Sequence, residues 1–160
     1  MASTSPESPT PGARLRALLA QRRAVAVPGT HDALGAMLIG EAGFDAVYMS
    51  GYAVAASHGR PDIGLITADQ MVRRAAEIVD AVALPVIVDA DAGYGGVANI
   101  ADVVRGYERA GVAAMHLEDQ VSPKRCGAMA GKALVSDDEM AARLRAALRI
   151  RPGQFLRPVL

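Results

Sequence analysis

Short apolar segments alternate along the chain with longer segments in which apolar residues recur at helical spacing. Four of the short segments indicate buried strands: AVAV (24–27), DAVYM (45–49), PVIV (85–88) and VAAMHLE (112–118). A helical pattern follows each of them, and the crossovers are long enough for consecutive strands to run parallel. The pattern predicts an α/β protein with four strand–helix units, either doubly wound or barrel-like.

The helices are predicted from apolar periodicity and from their end signals. We expect helices over residues 14–23, 31–42, 67–83, 97–110 and 136–149. Thr67 with Gln70, and Ser136 with Glu139, have the spacing of capping boxes. Gly43 follows the second predicted helix, where a glycine commonly ends a helix. The polar segment at 57–64 is predicted to be a loop.

Polar residues follow three successive predicted strands at their carboxyl ends. These are the pairs Ser50 and Gly51, Asp89 and Asp91, and Glu118 and Asp119. Functional residues at one rim, contributed by successive strands, are typical of a β/α barrel. Neither G-x-G-x-x-G nor G-x-x-x-x-G-K-[ST] occurs in the sequence, so a nucleotide site has no support.

The carboxylates at these strand ends indicate a metal site. Asp89 and Asp91 are one residue apart, so in a strand they would point to the same side and repel unless a cation lies between them. With Glu118 and Asp62 they form an all-oxygen set that suits Mg²⁺ or Mn²⁺. The alternatives are a solvated turn at Asp89–Asp91 and an arginine partner for Glu118.

The single cysteine lies in a polar loop, Lys124-Arg125-Cys126-Gly127. The only two lysines of the chain, Lys124 and Lys132, are both close to it in sequence. Neighbouring cations favour the thiolate, which would make Cys126 a usable acid or base. The alternative is an inert buried cysteine. His116, within the fourth predicted strand, is expected to be a packed core residue.

Composition narrows the functional classes. The 160 residues carry 17 basic and 17 acidic side chains, and no basic stripe points to nucleic acid or to an anionic membrane. No apolar run is long enough to span a bilayer, and one cysteine gives no sign of secretion, so we expect a cytoplasmic protein. Residues 1–12 are predicted to be a disordered tail, 13–149 the folded part, and 150–160 an aberrant end in which Arg157 and Pro158 interrupt the expected fifth strand.

Four segments carry a resemblance to a known family. SGYAVAASHGRPDIG, PVIVDADAGYGG, HLEDQ and PKRCG occur in the order and spacing of the isocitrate lyase and phosphoenolpyruvate mutase superfamily, over about residues 24–149. KRCG is typical of its lyase branch, and the chain most resembles the 2-methylisocitrate lyases. The resemblance implies a (β/α)8 barrel of which about the first four units are present. It also implies an enzyme that assembles into homo-oligomers.

The resemblance further implies Mg²⁺-dependent carbon–carbon cleavage of a 2-methylisocitrate- or isocitrate-like acid, giving pyruvate or glyoxylate plus succinate. Asp89 would hold the metal, with Asp91, Glu118 and Asp62 nearby and acting mostly through waters. Cys126, on a lid loop, would protonate the anion left by bond cleavage. The residues expected to bind the carboxylic-acid substrate are Ser50, Gly51, Tyr52, Lys124, Arg125 and Gly127.

Two departures from the family pattern limit these expectations. Ala128 stands where the lyases usually continue KRCG with a histidine. The family is also about twice as long, so we expect this chain to be truncated and, when isolated, to fold poorly or to associate. The alternatives are an oxaloacetate decarboxylase or hydrolase, a carboxyphosphonoenolpyruvate-type phosphonomutase, and an inactive half-barrel that pairs with another chain.

Overall fold

A computed structural model describes residues 9–21 and 23–150. Residues 1–8 and 151–160, which contain most of the predicted tail and nearly all of the predicted aberrant end, lie outside the described residues. The elements in chain order are α1 Pro11–Leu19, β1 Gly29–Thr30, α2 Ala33–Glu41, β2 Val47–Met49, α3 Gly51–Ser57, α4 Ala68–Ala81, β3 Val86–Asp89, α5 Val97–Arg109, β4 Ala114–His116 and α6 Asp137–Ile150.

The four strands form one parallel sheet in the order β1-β2-β3-β4. The register pairs Tyr48 of β2 with Ile87 of β3, and Asp89 of β3 with His116 of β4. A doubly wound sheet reverses its strand order at one point, whereas a β/α barrel adds each strand beside the previous one. The sequential order therefore confirms the α/β prediction and favours the barrel form.

The two faces of the sheet have different surroundings. Val47, Met49, Val86 and Val88 are fully or almost fully buried, and they pack against α2, α4 and α5 in the main core. The alternate residues, such as Tyr48 and those paired with it, lie on the opposite face, which corresponds to the interior of a barrel. Because all the strand pairs are parallel, the carboxyl ends of the four strands lie at one edge of the sheet.

Helix α1 covers the other end of the sheet and starts earlier than predicted. Thr10 is its N-cap, and its side chain accepts a hydrogen bond from the Ala13 amide. Pro11 occupies the first turn, where its missing N–H costs nothing. Leu15 and Leu18 are buried against the small residues that precede β2 and β4. The prediction of a disordered tail as far as residue 12 is therefore wrong from Thr10 onward.

The first strand is displaced from its predicted position. Val25 and Val27 form no strand, and instead pack against α1. Pairing with β2 begins only at Pro28, whose carbonyl accepts the Tyr48 amide at 3.0 Å. Proline lacks an N–H, but at a sheet edge only its carbonyl needs a partner. AVAV is therefore an apolar linker that covers the end of the sheet.

Other helices agree closely with the sequence pattern, with one addition. Thr67 and Gln70 form the predicted capping box at the start of α4. Helix α3 was not predicted; it begins directly after Ser50, whose hydroxyl caps it by accepting the Ala53 amide at 3.3 Å. In the part of the chain that the structure describes, no helix has the length and apolar character needed to cross a membrane.

Candidate active site

Asp89 and Asp91 converge at the carboxyl edge of the sheet, but a turn rather than a continued strand brings them together. β3 ends at Asp89, whose Oδ1 accepts the Asp91 amide at 2.9 Å. Asp91 has a φ of 45°, in the left-handed region that aspartate tolerates better than most residues. From below, the Tyr107 hydroxyl of α5 donates to the Asp89 carbonyl at 3.0 Å. The expectation that strand alternation would align the two carboxylates is therefore wrong in its geometry.

Gly51 lies directly against both carboxylates. Its amide donates to Asp89 Oδ2 at 3.2 Å. A Cβ atom at this position would lie 2.6 Å from Asp89 Oδ2 and 3.4 Å from Asp91 Oδ1. Because a real Cβ cannot approach an oxygen to 2.6 Å, only glycine allows the start of α3 to pack this closely on the two aspartates.

Lys124 is the cation of this cluster. Its Nζ lies 2.7 Å from Asp62 Oδ1 and 2.7 Å from Asp91 Oδ1, and the three side chains are 4%, 7% and 9% exposed. Burial alone would lower the pKa of Lys124, but the hydrogen bonds and charges of the two aspartates outweigh it and raise the pKa above its ordinary value. The ammonium therefore pairs with two carboxylates, and its expected role in substrate binding stays a prediction.

The carboxylates outnumber this single cation. Burial raises the pKa of Asp91, Lys124 opposes the change, and the charge of Asp89 adds to it. Burial also raises the pKa of Glu118, with Lys124 opposing and Asp89, Asp91 and Asp62 adding. Lys124 pairs with Asp62 and Asp91, while Asp89 and Glu118 add further negative charge to the cluster, and this surplus disfavours the ionised forms of Asp91 and Glu118.

The surplus of negative charge at the strand ends decides whether a divalent cation fits this site. Among residues 9–21 and 23–150, no three potential ligand side chains lie close enough to hold a metal by themselves. Asp91 Oδ1 is buried and has no well-aligned hydrogen bond, although the Lys124 ammonium is near. Mg²⁺ binds through one or two carboxylates and keeps several waters. An all-carboxylate set with spare charge and few converging oxygens fits such an ion.

Glu118 is tied to the cysteine-bearing loop by a residue that sequence reasoning missed. Gln120 is 5% exposed, and its Nε2 donates to Glu118 Oε2 at 2.9 Å. The same amide group binds the backbone of Arg125 on both sides, donating to its carbonyl at 2.9 Å and accepting its N–H at 3.0 Å. Gln120 ends the HLEDQ segment, but the segment does not indicate this role, since the contact with Arg125 depends on how the loop folds.

Arg143 of α6 holds the backbone of the same segment. Its guanidinium donates to the Gln120 carbonyl at 3.0 Å and to the Glu118 carbonyl at 3.4 Å. Its other nitrogen donates to Glu139 at 2.7 Å, one helical turn earlier. The side chain is only 7% exposed, so α6 contributes a buried cation that fixes the strand-end segment. This residue was also missed, since it had the appearance of one charge among many on a surface helix.

Cys126 lies half-buried in the loop between Gln120 and Leu134, which pair with each other in an antiparallel bridge. Hydrogen bonds from Val121 to Ala133 and from Val135 to Asp119, both 2.8 Å, close the base of the loop. Beyond Cys126, the Lys132 ammonium donates to the Gly127 carbonyl at 2.6 Å and to the Met129 carbonyl at 2.8 Å. The thiol is therefore bracketed by two anchored segments.

The remaining expected site residues occupy different environments. Ser50 caps α3, Tyr52 is 61% exposed, and Arg125 and Gly127 are exposed on the loop. Tyr48, which was not predicted, faces the cluster: burial and then the charges of Asp89, Glu118 and Asp91 raise its pKa, so its hydroxyl stays protonated as a donor.

The sequence indicates a core position for His116, and this prediction is wrong. It is exposed at the end of β4, and its Nδ1 lies 3.3 Å from the Tyr48 hydroxyl. Strand alternation places it on the barrel-interior face beside Asp89, away from the helices. The interior face is therefore polar next to the carboxylates.

Comparison with known proteins gives a consistent result. The profile of the phosphoenolpyruvate phosphomutase family matches residues 15–155. A 2,3-dimethylmalate lyase from Eubacterium barkeri is 52% identical over 140 residues, which cover 87% of this chain and 48% of that protein. A 2-methylisocitrate lyase from Halalkalibacterium halodurans is 43% identical over 139 residues, with 87% and 46% covered.

Solved structures match the fold in the same way. A crystal structure of 2,3-dimethylmalate lyase superposes with a TM-score of 0.84 and 45% identity, covering 90% of this chain and 49% of that one. Phosphonopyruvate hydrolase in complex with oxalate and Mg²⁺ superposes with a TM-score of 0.81 and 31% identity, covering 91% and 50%. The chain thus spans about half the length of the relatives it matches.

Proposed function

Because the chain belongs to the phosphoenolpyruvate mutase and isocitrate lyase superfamily, we propose that it carries the strand-end site of a Mg²⁺-dependent carbon–carbon lyase. The proposed substrate is a 2-methylisocitrate- or isocitrate-like acid, and the products are pyruvate or glyoxylate plus succinate. The observation that carries the proposal is the cluster of four carboxylates at the carboxyl edge of the sheet, in which one buried ammonium pairs with two of them.

A divalent cation would complete this cluster. Asp89 is the proposed direct ligand, because its two oxygens accept one backbone amide each, from Gly51 and from Asp91, and an ionised carboxylate retains acceptor capacity beyond two hydrogen bonds. Asp91, Glu118 and Asp62 would bind waters of the ion. When bound, the ion would supply positive charge to the oxygens of a 2-hydroxy acid substrate and of the oxo acid that leaves.

The residues of the chain would manage the protons. Glu118 is the proposed acceptor of the substrate hydroxyl proton, since burial raises its pKa above the ordinary value of a glutamate and so favours uptake of a proton. The electron pair of that O–H bond forms the new carbonyl, and the broken C–C bond leaves its pair on the succinate carbon. The Cys126 thiol would donate a proton to that carbon. Tyr48, as a protonated donor facing the cluster, would orient a substrate oxygen.

The test is product analysis with purified chain. Protein and Mg²⁺ are incubated with 2-methylisocitrate, 2,3-dimethylmalate, isocitrate or oxaloacetate, and products are followed by proton NMR. We expect pyruvate with succinate from 2-methylisocitrate, glyoxylate with succinate from isocitrate, and pyruvate with propionate from 2,3-dimethylmalate. Chelation of the metal and the Cys126→Ser change should each abolish the signal. Oxalate and acetate from oxaloacetate would instead favour a hydrolase, and no product above the Cys126→Ser level would refute the proposal for this chain.

A half-barrel that pairs with another chain is the second candidate, and it rests on exposed apolar surface. Leu34, Met37 and Leu38 of α2 are 64%, 47% and 55% exposed. In the described sheet, β1 and β4 are edge strands. Two such sheets could close a ring around a two-fold axis. Light scattering after size exclusion tests this: a monomeric mass at all concentrations would exclude it.

A further inference from the structure

The contact between Gln120 and the cysteine loop carries an inference that rests on the proposed function and goes beyond it. Gln120 contacts the carboxylate cluster at one end and the residue before Cys126 at the other. We propose that Gln120 is a positioning residue, which fixes the Cys126 thiol relative to the Glu118 carboxylate through a three-point hydrogen-bonded clamp.

The orientation of the Gln120 amide follows from its partners. A backbone N–H can donate only to oxygen, so the Arg125 amide at 3.0 Å fixes Oε1 on that side. Nε2 then faces two acceptors, the Arg125 carbonyl and Glu118 Oε2, each at 2.9 Å. All polar atoms of the side chain are engaged, and the residue is 5% exposed. The clamp therefore has one arrangement, which a glutamate of the same shape cannot make.

The clamp acts on the loop between two other anchored residues, Lys124 and Cys126: Lys124 is held by its two aspartates and the Cys126 carbonyl accepts the Met129 amide. Arg125 itself is exposed, and its backbone is bound on both sides by Gln120. On the far side of Cys126, Lys132 fixes the Gly127 carbonyl. Gln120 and Lys132 thus anchor the residues immediately before and after the thiol. Loss of the Gln120 anchor frees the Arg125 backbone, which directly precedes the thiol, and at the same time releases Glu118.

The native protein contains its own reporter, because Cys126 is the only cysteine. The rate of its alkylation by iodoacetamide, followed by mass spectrometry, measures how often the loop exposes the thiol. We compare the unchanged chain with Gln120→Glu, which puts a carboxylate against Glu118 and the Arg125 carbonyl, and with Gln120→Met, which removes the polar atoms. Gln70→Glu is the matched control, since Gln70 also binds backbone but in the cap of α4.

We expect alkylation to be about tenfold faster in both Gln120 variants, the change that loss of one ordinary net hydrogen bond makes in a local equilibrium. Gln70→Glu should react at the original rate. The rates should not depend on low concentrations of urea, because local opening exposes little surface, whereas exposure by global unfolding would rise steeply with urea.

Three results would overturn the proposal. They are unchanged alkylation in both variants, acceleration that follows global unfolding, and failure of both variants to fold, which would make Gln120 a determinant of the fold instead. The readout needs no turnover. A chain that makes no product but shows the urea-independent acceleration would refute the lyase proposal and retain the clamp. A chain that makes product but shows no acceleration of alkylation in the Gln120 variants would retain the lyase proposal and refute the clamp.

Discussion

Replacement of Lys124 by methionine tests the buried charge cluster most sharply. The change keeps the length of the side chain but leaves Asp62 and Asp91, 7% and 9% exposed, without the ammonium that lies 2.7 Å from each. Removal of one partner from a buried ion pair costs about 3–5 kcal/mol. Because two carboxylates lose their partner here, we expect the upper part of that range, which is a large share of the ~5–15 kcal/mol that stabilises a typical domain.

Lys132→Met is the matched control, since Lys132 is the only other lysine and lies in the same loop. Its ammonium is exposed and binds two carbonyls, so its loss should cost about 1 kcal/mol. Urea unfolding followed by circular dichroism measures both variants. The destabilisation by Lys124→Met should be smaller at pH 5 than at pH 8, because carboxyl groups that have taken up protons need no counter-charge.

Magnesium should partly replace the missing ammonium. An ion at about 100 times its dissociation constant stabilises the folded state by about 2.7 kcal/mol. We expect a larger Mg²⁺-induced gain in Lys124→Met than in the unchanged chain, because the variant leaves more uncompensated negative charge. If Lys124→Met cost no more than Lys132→Met, or if Mg²⁺ stabilised Lys124→Met and the unchanged chain equally, the ammonium would not be the counter-charge of this cluster.

Three further predictions concern the residues around the cluster. Gly51→Ala puts a Cβ 2.6 Å from Asp89 Oδ2 and should cost about 1–3 kcal/mol in urea unfolding, whereas Gly40→Ala, with its nearest contact at 3.6 Å, should cost nothing or stabilise α2. Since the folded-state pKa of Asp91 is raised, its contribution to stability is lost as pH rises above the ordinary range of an aspartate carboxyl, so Asp91→Asn should gain relative to the unchanged chain as pH rises in the presence of chelator; a relative loss would contradict the shift. Tyr107→Phe removes the hydrogen bond to the Asp89 carbonyl and should cost about 1 kcal/mol, with an unchanged denaturation midpoint as the contrary result.

The sequence predicts those features that depend on neighbours in the chain. The capping box of Thr67 and Gln70 is local, and it is present at the start of α4. Asp89 and Glu118 follow apolar strands directly, so their meeting at one edge follows from parallel pairing alone. Their proposed metal and substrate roles stay predictions.

Features that depend on distant partners could not be predicted in this way. Lys124 was associated with the thiol because the two are close in sequence, but the fold gives its ammonium to Asp62 and Asp91. Arg143 acquires its role only when α6 meets the end of β4, and Gln120 only when the loop folds so that the Arg125 backbone, five residues later, returns to it. Val25 and Val27 carry a strand pattern, yet burial against α1 satisfies them without pairing.

The central claim is that the strand-end carboxylates hold a divalent cation, with Asp89 as the direct ligand. Mn²⁺ is a suitable probe, because free and bound ions are distinguished by electron paramagnetic resonance and carboxylate sites accept it in place of Mg²⁺. We predict that one Mn²⁺ binds per chain, that Mg²⁺ displaces it, and that Asp89→Asn abolishes its binding. Asp69→Asn is the control and should retain Mn²⁺, because the Asp69 carboxylate pairs with Arg73 on the exposed side of α4. Equal Mn²⁺ binding by Asp89→Asn and the unchanged chain would contradict the claim.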